Sequence, residues 1–252
     1  MYHAFILSPD NSVRKANVER QCKKIGFSTP HIFPAIMGRN FSEEELRCLA
    51  CNPTYLSKGE IGCVLSHLGV YEEFLQDTSA GYAAVFEDDA VFEPELSLAL
   101  LDQIGSFIAS LDEAAVIVLQ KSRYHKTVVK DFGVTKAYGA HNLFYAYGYV
   151  LNRQAAKNIR EVQTPVRFEM DAFKYYWWLD KCSLYCLNKN LVTVMDSPSI
   201  IGQDRFDDED RDKIKRQCFD ELYRSLPLSG KITAVRRRLM KALNKPFETE
   251  IY

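Results

Sequence analysis

Residues 82–92 read Tyr82-Ala83-Ala84-Val85-Phe86-Glu87-Asp88-Asp89-Ala90-Val91-Phe92, three consecutive carboxylates set between two apolar runs. The run before them has the length and character of a buried strand. Strand ends in an α/β sheet open into the crevice where ligands bind, so the acids are expected at a sheet margin. Like charges packed this closely repel, and the apolar backbone on either side draws at least one carboxylate inward, where an unpaired charge is costly. A hard divalent cation such as Mg2+ or Mn2+ relieves that cost and shares its remaining positions with phosphate oxygens. The plainer alternative is a solvated acidic turn.

On the N-terminal side, Ser57-Lys58-Gly59-Glu60 has the form of a capping box. A helix is predicted from there to about Gln76, with Ile61, Val64, Leu65, Leu68, Tyr71 and Leu75 on one face. On the C-terminal side, Pro94-Glu95 is expected to start a helix that runs through Ala109, and Ala115 to Leu119 is an aliphatic run suited to a strand covered on both faces. Ala4 to Leu7 and His31 to Ile36 read as strands around a helix that Asn11 or Ser12 caps and Gly26 ends. Later segments predict helices at Arg153–Glu161 and Phe168–Leu179, and a strand over Leu184–Val194 interrupted by a turn at Asn188-Lys189-Asn190. Strands alternating with helices predict an α/β layer structure with a mostly parallel central sheet flanked by helices.

The 252 residues are 47% hydrophobic and 26% charged, which excludes disorder, collagen and coiled coil. A net charge of -1 argues against a nucleic-acid partner. Charge is unevenly spread, however, for Arg211 to Lys245 holds eleven basic residues against three acidic ones. The expected organisation is therefore a catalytic domain over 1–210 and a basic helical C-terminal region over 211–252. The first ten residues lack the pattern of a secretory signal and no apolar run reaches membrane-spanning length, so the expected location is cytoplasmic. Seven irregularly spaced cysteines fit reduced thiols. Cys48 and Cys51 with Cys182 and Cys186 make a poor zinc set, since the second pair has a different spacing and lies far along the chain.

Gly59-Glu60-Ile61-Gly62-Cys63-Val64-Leu65-Ser66-His67, followed at close range by Phe86-Glu87-Asp88-Asp89, resembles glycosyltransferase family 25, the bacterial lipooligosaccharide galactosyl- and glucosyltransferases. Ile6-Leu7 with Arg14, the run from Gly148 to Ala156, and Pro198 to Gln203 extend the likeness over roughly residues 1–205. The resemblance implies a GT-A (Rossmann-like) fold, a UDP-hexose donor with galactose favoured over glucose, and inversion to a β-linkage. It also implies Mg2+ or Mn2+ held by the E-D-D form of the D-x-D motif. Asp89 is then the direct metal ligand with Glu87 beside it or toward the ribose, while Ser8, Arg14, Ser66, His67, Glu87 and Asp88 contact the donor. An inverting transfer needs a base for the acceptor hydroxyl. The family carries an aspartate right after Pro-Val, but here Pro165-Val166 is followed by Arg167-Phe168-Glu169-Met170-Asp171, which leaves Asp171 favoured and Glu169 competing. A second departure is Ala35-Ile36-Met37-Gly38, which lacks the aspartate common before that glycine.

Lys231 to Lys245 places Ile232, Val235, Leu239 and Leu243 near helical spacing among basic residues. Such a helix either lies on an anionic inner-leaflet surface, near a lipid-linked acceptor, or packs on the domain with a solvated basic face. One of the adjacent Trp177 and Trp178 is expected to be the more exposed and a candidate to stack on an acceptor sugar. No protein partner is inferred. The competing readings are a metal-dependent nucleotidyl- or phosphoryl-transfer enzyme, although no P-loop is present, and a non-catalytic nucleotide-sugar-binding module.

Overall fold

A computed structural model of the chain describes residues 4–9, 13–27, 30–122, 124–125, 127–143, 145–195, 208–244 and 248–249. In chain order the elements are β1 (Ala4–Ser8), α1 (Val13–Lys24), β2 (His31–Pro34), α2 (Glu43–Leu49), α3 (Lys58–Gln76), β3 (Tyr82–Glu87), β4 (Ala90–Phe92), α4 (Leu98–Ala109), β5 (Ala115–Lys121), β6 (Tyr124–His125), β7 (Val128–Asp131), β8 (Lys136–Ala140), β9 (Gly148–Asn152), α5 (Arg153–Val162), α6 (Phe173–Trp178), β10 (Ser183–Leu187), β11 (Val192–Val194), α7 (Asp208–Ser225), α8 (Leu228–Asn244) and β12 (Glu248–Thr249). The main sheet has eight strands in the order β2-β1-β3-β9-β5-β10-β8-β7. Only β9 and β8 run against the other strands, so the sheet is mostly parallel in sense, as expected.

Alternation along the central strands builds a core on each face. Ala83 and Val85 of β3 and Val116 and Val118 of β5 point to one side, against α3, α5, α6 and Cys218 of α7. Ala84 and Phe86, with Ala115, Ile117 and Leu119, point to the other, against α1 and α4. A strand covered twice has no polar face to show, which is why β5 reads as an unbroken aliphatic run. Among the described residues no helix is long and apolar enough to cross a membrane.

Helix α3 begins and ends where its pattern predicts, with Ser57 and Glu60 closing the capping box. Its buried face is wider than predicted, taking in Val70 and Phe74, while Leu65, Leu68 and Leu75 lie half-buried at its margin. At its far end the Arg153 guanidinium donates to the carbonyls of Phe74, Leu75 and Asp77, groups that a helix terminus otherwise leaves unpaired. Asn152 caps α5 through Ala155 N–H and also accepts from Ala115 N–H, tying that helix to β5.

Two predicted helix boundaries need correction. α4 starts at Leu98, capped by the Ser97 hydroxyl, and not at Pro94. The helix predicted over Phe168–Leu179 is only α6, Phe173–Trp178, because the Gln163 side-chain carbonyl captures the N–H groups of Arg167 and Phe168 and holds that stretch in a tight loop. Strand β9 is fully buried between β3 and β5, a placement that periodicity alone does not reveal in five residues. The cap expected at Asn11 or Ser12 and the Pro198–Gln203 match lie outside the described residues.

The glycine in the middle of α3 has a steric cause. A Cβ on Gly62 would fall 2.4 Å from the Gly38 nitrogen and 2.5 Å from the Ile36 carbonyl oxygen. One turn later the Ser66 hydroxyl donates to Gly62 C=O (2.7 Å) and accepts from Ile36 N–H (2.8 Å), so α3 is bonded directly onto the loop after β2. Gly62→Ala should therefore destabilise the protein by about 1–3 kcal/mol through overpacking, where an unobstructed helix-interior glycine would gain about 0.5–1 kcal/mol from the same change. Thermal unfolding reads the sign, and for a chain of this size the loss lowers Tm by roughly 2–10 °C.

Candidate active site

The carboxylates sit where β3 leaves the sheet. Glu87 is the last strand residue, level with Leu7 of β1, and its N–H donates to Tyr147 C=O. Asp88 and Asp89 form the turn into β4, and Met195 N–H bonds the Asp89 carbonyl, so the turn is held from both flanks. Asp89 Oδ1 is buried with no hydrogen-bond partner. Its other oxygen lies 3.8 Å from Arg14 Nη1, too long for a hydrogen bond. Desolvation, then the charges of Glu87 and Asp88, push the Asp89 carboxyl up to about 6 against the opposing pull of Arg14.

His67 approaches from α3, its side chain fully buried. Nε2 lies 3.4 Å from Glu87 Oε1, and Nδ1 shares a 2.7 Å hydrogen bond with the Tyr149 hydroxyl, which in turn bonds Tyr71 at 2.6 Å. A buried chain of polar groups running from α3 through β9 thus aims the imidazole at the strand end. Cys63, one turn earlier on α3, completes a trio in which Cys63, His67 and Glu87 bring one ligand atom each within 4.8 Å of one another. Burial, then Glu87 and other nearby acids, drive the Cys63 thiol well above its ordinary range. It is therefore a poor source of the thiolate that soft metals require.

The two candidate bases are sharply separated by their surroundings. Glu169 Oε1 accepts from Arg211 (2.8 Å) and Lys215 (2.7 Å) of α7, and Oε2 accepts from the Tyr55 hydroxyl (2.7 Å). Desolvation raises its carboxyl, but the Lys215 and Tyr55 bonds outweigh that and leave it below the ordinary glutamate range. Asp171 is accessible to solvent. Desolvation by the surrounding protein, then the charges of Glu169 and Glu87, hold its carboxyl above the ordinary range.

The structure brings together Arg14, His67, Glu87, Asp88 and Asp89, and places Asp171 within the field of Glu87. Two expected donor contacts are otherwise engaged. The Ser8 side chain is buried and donates to Pro9 C=O, and Ser66 spends its hydroxyl on the Gly62–Ile36 junction. Neither tryptophan stands out as the more exposed, because α8 covers both, with Arg237 over the Trp177 ring and Arg238 and Lys241 over Trp178. Among the described residues the open aromatic is instead Tyr145, 61% exposed, at a backbone φ of 64°, and stacked on Tyr147. The charge of Asp89 is felt at Tyr147, which places this pair beside the acids. A positive φ on a bulky residue marks strain that surrounding structure must hold. Tyr145 stands with Tyr147 and Tyr149 in a short aromatic run of the sequence, but nothing in its spacing singles it out from core tyrosines. Arg211 and Lys215 likewise carry no local signal, since their partners lie some forty residues or more away.

All seven cysteines are free, and Cys48 is exposed while Cys182 and Cys186 are buried. Buried cysteines of this kind pack as small apolar residues.

The model of glycosyltransferase family 25 (LPS biosynthesis protein) matches residues 1–174. No curated protein matches the chain. Among solved structures it is similar to A197 from STIV, with a TM-score of 0.45 and 12% identity over 78% of this chain and 87% of that one. It is also similar to a UDP-glucose pyrophosphorylase complexed with UDP-glucose, with a TM-score of 0.36 and 9% identity over 86% of this chain and 75% of that one. The family match spans both the α3 motif and the acidic strand end, so the chain belongs to glycosyltransferase family 25 and is a glycosyltransferase of lipopolysaccharide biosynthesis that uses a nucleotide-sugar donor.

Proposed function

We propose that the protein transfers a hexose, galactose in preference to glucose, from UDP-hexose to a lipooligosaccharide acceptor with inversion at the anomeric carbon, assisted by Mg2+ or Mn2+, at the inner face of the cytoplasmic membrane. The observation that carries this reading is the buried, unpartnered Asp89 Oδ1 among three acids. An all-carboxylate donor set suits a hard cation, and Asp89 with Glu87 would hold it. Bound there, the cation would neutralise charge that builds on the diphosphate leaving group.

The chain's own groups take the remaining tasks. Arg14 lies beside Asp89 and offers its guanidinium to the diphosphate, with Asp88 in the same turn. His67 orients Glu87, held in place by Tyr149 and Tyr71. Asp171 takes the proton of the attacking acceptor hydroxyl, because it is open to solvent and its raised carboxyl is a better base than an ordinary aspartate. Glu169, with both oxygens already bonded, braces that loop. Tyr145 and Tyr147 offer a stacked face for a sugar ring. In this reading 1–210 is the catalytic domain and 211–252 its basic extension, whose first turns brace Glu169. Family membership favours sugar transfer over nucleotidyl or phosphoryl transfer and over a non-catalytic binding module.

UDP release from a panel of UDP-sugars, with and without Mn2+, should be fastest with UDP-galactose and should vanish in chelator; turnover indifferent to metal would overturn the cation site. Asp89→Asn should lower kcat/KM by about 10²–10³. The same change should stabilise the protein at pH 8 by on the order of 1–3 kcal/mol, since it removes a charge whose folded-state pKa is raised. That gain should shrink as pH falls from about 6 toward 4, where the native carboxyl takes its own proton. An unchanged Tm at pH 8 would show the charge to be balanced without a cation. Asp171→Asn should cut kcat by about 10²–10⁴ while UDP affinity stays within twofold. In the unaltered enzyme the rate should fall on acidification through a pKa above the usual aspartate range; near-normal turnover in the variant rules Asp171 out as the base.

A further inference from the structure

Helix α8 is built inside out relative to an ordinary surface helix. Gly230, Ala234, Arg237 and Lys241 recur on one face at helical spacing and meet the domain. Ala234 is fully buried, and Arg237 donates to the carbonyls of Trp177 and Cys182 and pairs with Asp180 at 2.9 Å. The larger apolar side chains, Leu228, Ile232, Val235, Leu239 and Leu243, recur every three or four residues on the opposite side, each between 48% and 75% exposed. Adding Met240, six of the eleven exposed large hydrophobics among the described residues lie in these seventeen positions. An apolar stripe of this kind on a soluble surface marks a contact.

From this geometry we infer that the outward face of α8 docks onto an anionic lipid bilayer, lying in the plane of the interface with its apolar stripe among the acyl chains. Charge decides the occupant. The helix carries Lys231, Arg236, Arg237, Arg238 and Lys241 and no acidic residue. At 100° per residue, Lys231 falls on one flank of the stripe and Arg236 on the other, where they would meet headgroup phosphates, while Arg238, on the Lys231 flank, lies over the Trp178 ring. A second copy seated stripe to stripe would instead bring these cations against their own kind. The packed side uses Gly230, Ala234, the Arg237 clamp and the cations of Arg238 and Lys241 over the Trp178 ring, and none of the stripe's apolar side chains, so the stripe is free to enter lipid without unseating the helix. This surface extends the reading of a lipid-linked acceptor but is independent of donor chemistry.

The test is co-sedimentation of the full chain with vesicles of phosphatidylcholine containing 30% phosphatidylglycerol, and with pure phosphatidylcholine. The unaltered protein should pellet with the anionic vesicles at least tenfold more than with the neutral ones. The double change Ile232→Glu and Leu239→Glu should reduce that binding at least tenfold while Tm and UDP release stay as they were, because both side chains are exposed and far in sequence from the acids. Absence of binding to anionic vesicles, or equal binding by the double variant, overturns the inference. So does a dimer in light scattering that the double variant dissolves, since the stripe would then belong to a second copy. Vesicle binding in a protein that releases no UDP would instead sink the transfer reading and leave the docking surface standing.

Discussion

A half-buried carboxylate with one oxygen that has no hydrogen-bond partner, flanked by two other acids, is the constraint on which the geometry of this corner rests. Arg14, 3.8 Å away, offsets the charge cost of Asp89 only in part, because desolvation and the charges of Glu87 and Asp88 outweigh it. A fold optimised for stability alone would place a neutral residue there. An acid kept at a sheet margin under that repulsion is the feature on which the proposed cation-assisted transfer rests.

That margin is rigid because α3 fastens it at three levels. Gly62 and Ser66 bind the helix to the loop after β2, His67 reaches the end of β3, and Arg153 secures the helix terminus to the β9–α5 junction. The sequence motif running from Gly59 to His67 is thus mostly a docking motif, in which one side chain, His67, reaches the acidic strand end. The run from Gly148 to Ala156 has the same character: Tyr149 supports His67, Asn152 caps a helix and Arg153 caps another. These residues act by position, fixing the helices and strand ends around the acidic corner.

Two acids two residues apart are driven to opposite roles by their partners. α7 supplies Arg211 and Lys215 to Glu169, and Arg211 also reaches Glu60 of the capping box at 3.1 Å, so one cation joins the start of α3 to the loop that carries Asp171. The resulting network is mutually satisfied, as buried charges must be. Asp171 has no ion pair of this kind among the described residues, and desolvation with the negative field of Glu169 and Glu87 outweighs the pull of Lys215. Environment, not residue type, separates the two carboxyls, and the proposed division between brace and base rests on that difference.

Much of the molecule was legible from short-range pattern. The α/β alternation, the limits of α3 with its capping box, the doubly covered β5 and the acids at the end of β3 all follow from periodicity and local hydrogen-bonding chemistry, which act over a few residues. The acidic triplet itself named the corner to inspect. What local pattern could not decide were contacts between residues far apart in the chain: Glu169 with α7, His67 with Tyr149, the insertion of β9 against the grain of the sheet, and the choice of Tyr145 over Trp177 and Trp178 as the open aromatic. The same holds for α8, whose amphipathic spacing was plain while the direction of its apolar side was not. Spacing specifies which side chains share a face, but only the packed chain determines whether that face meets the core or the solvent.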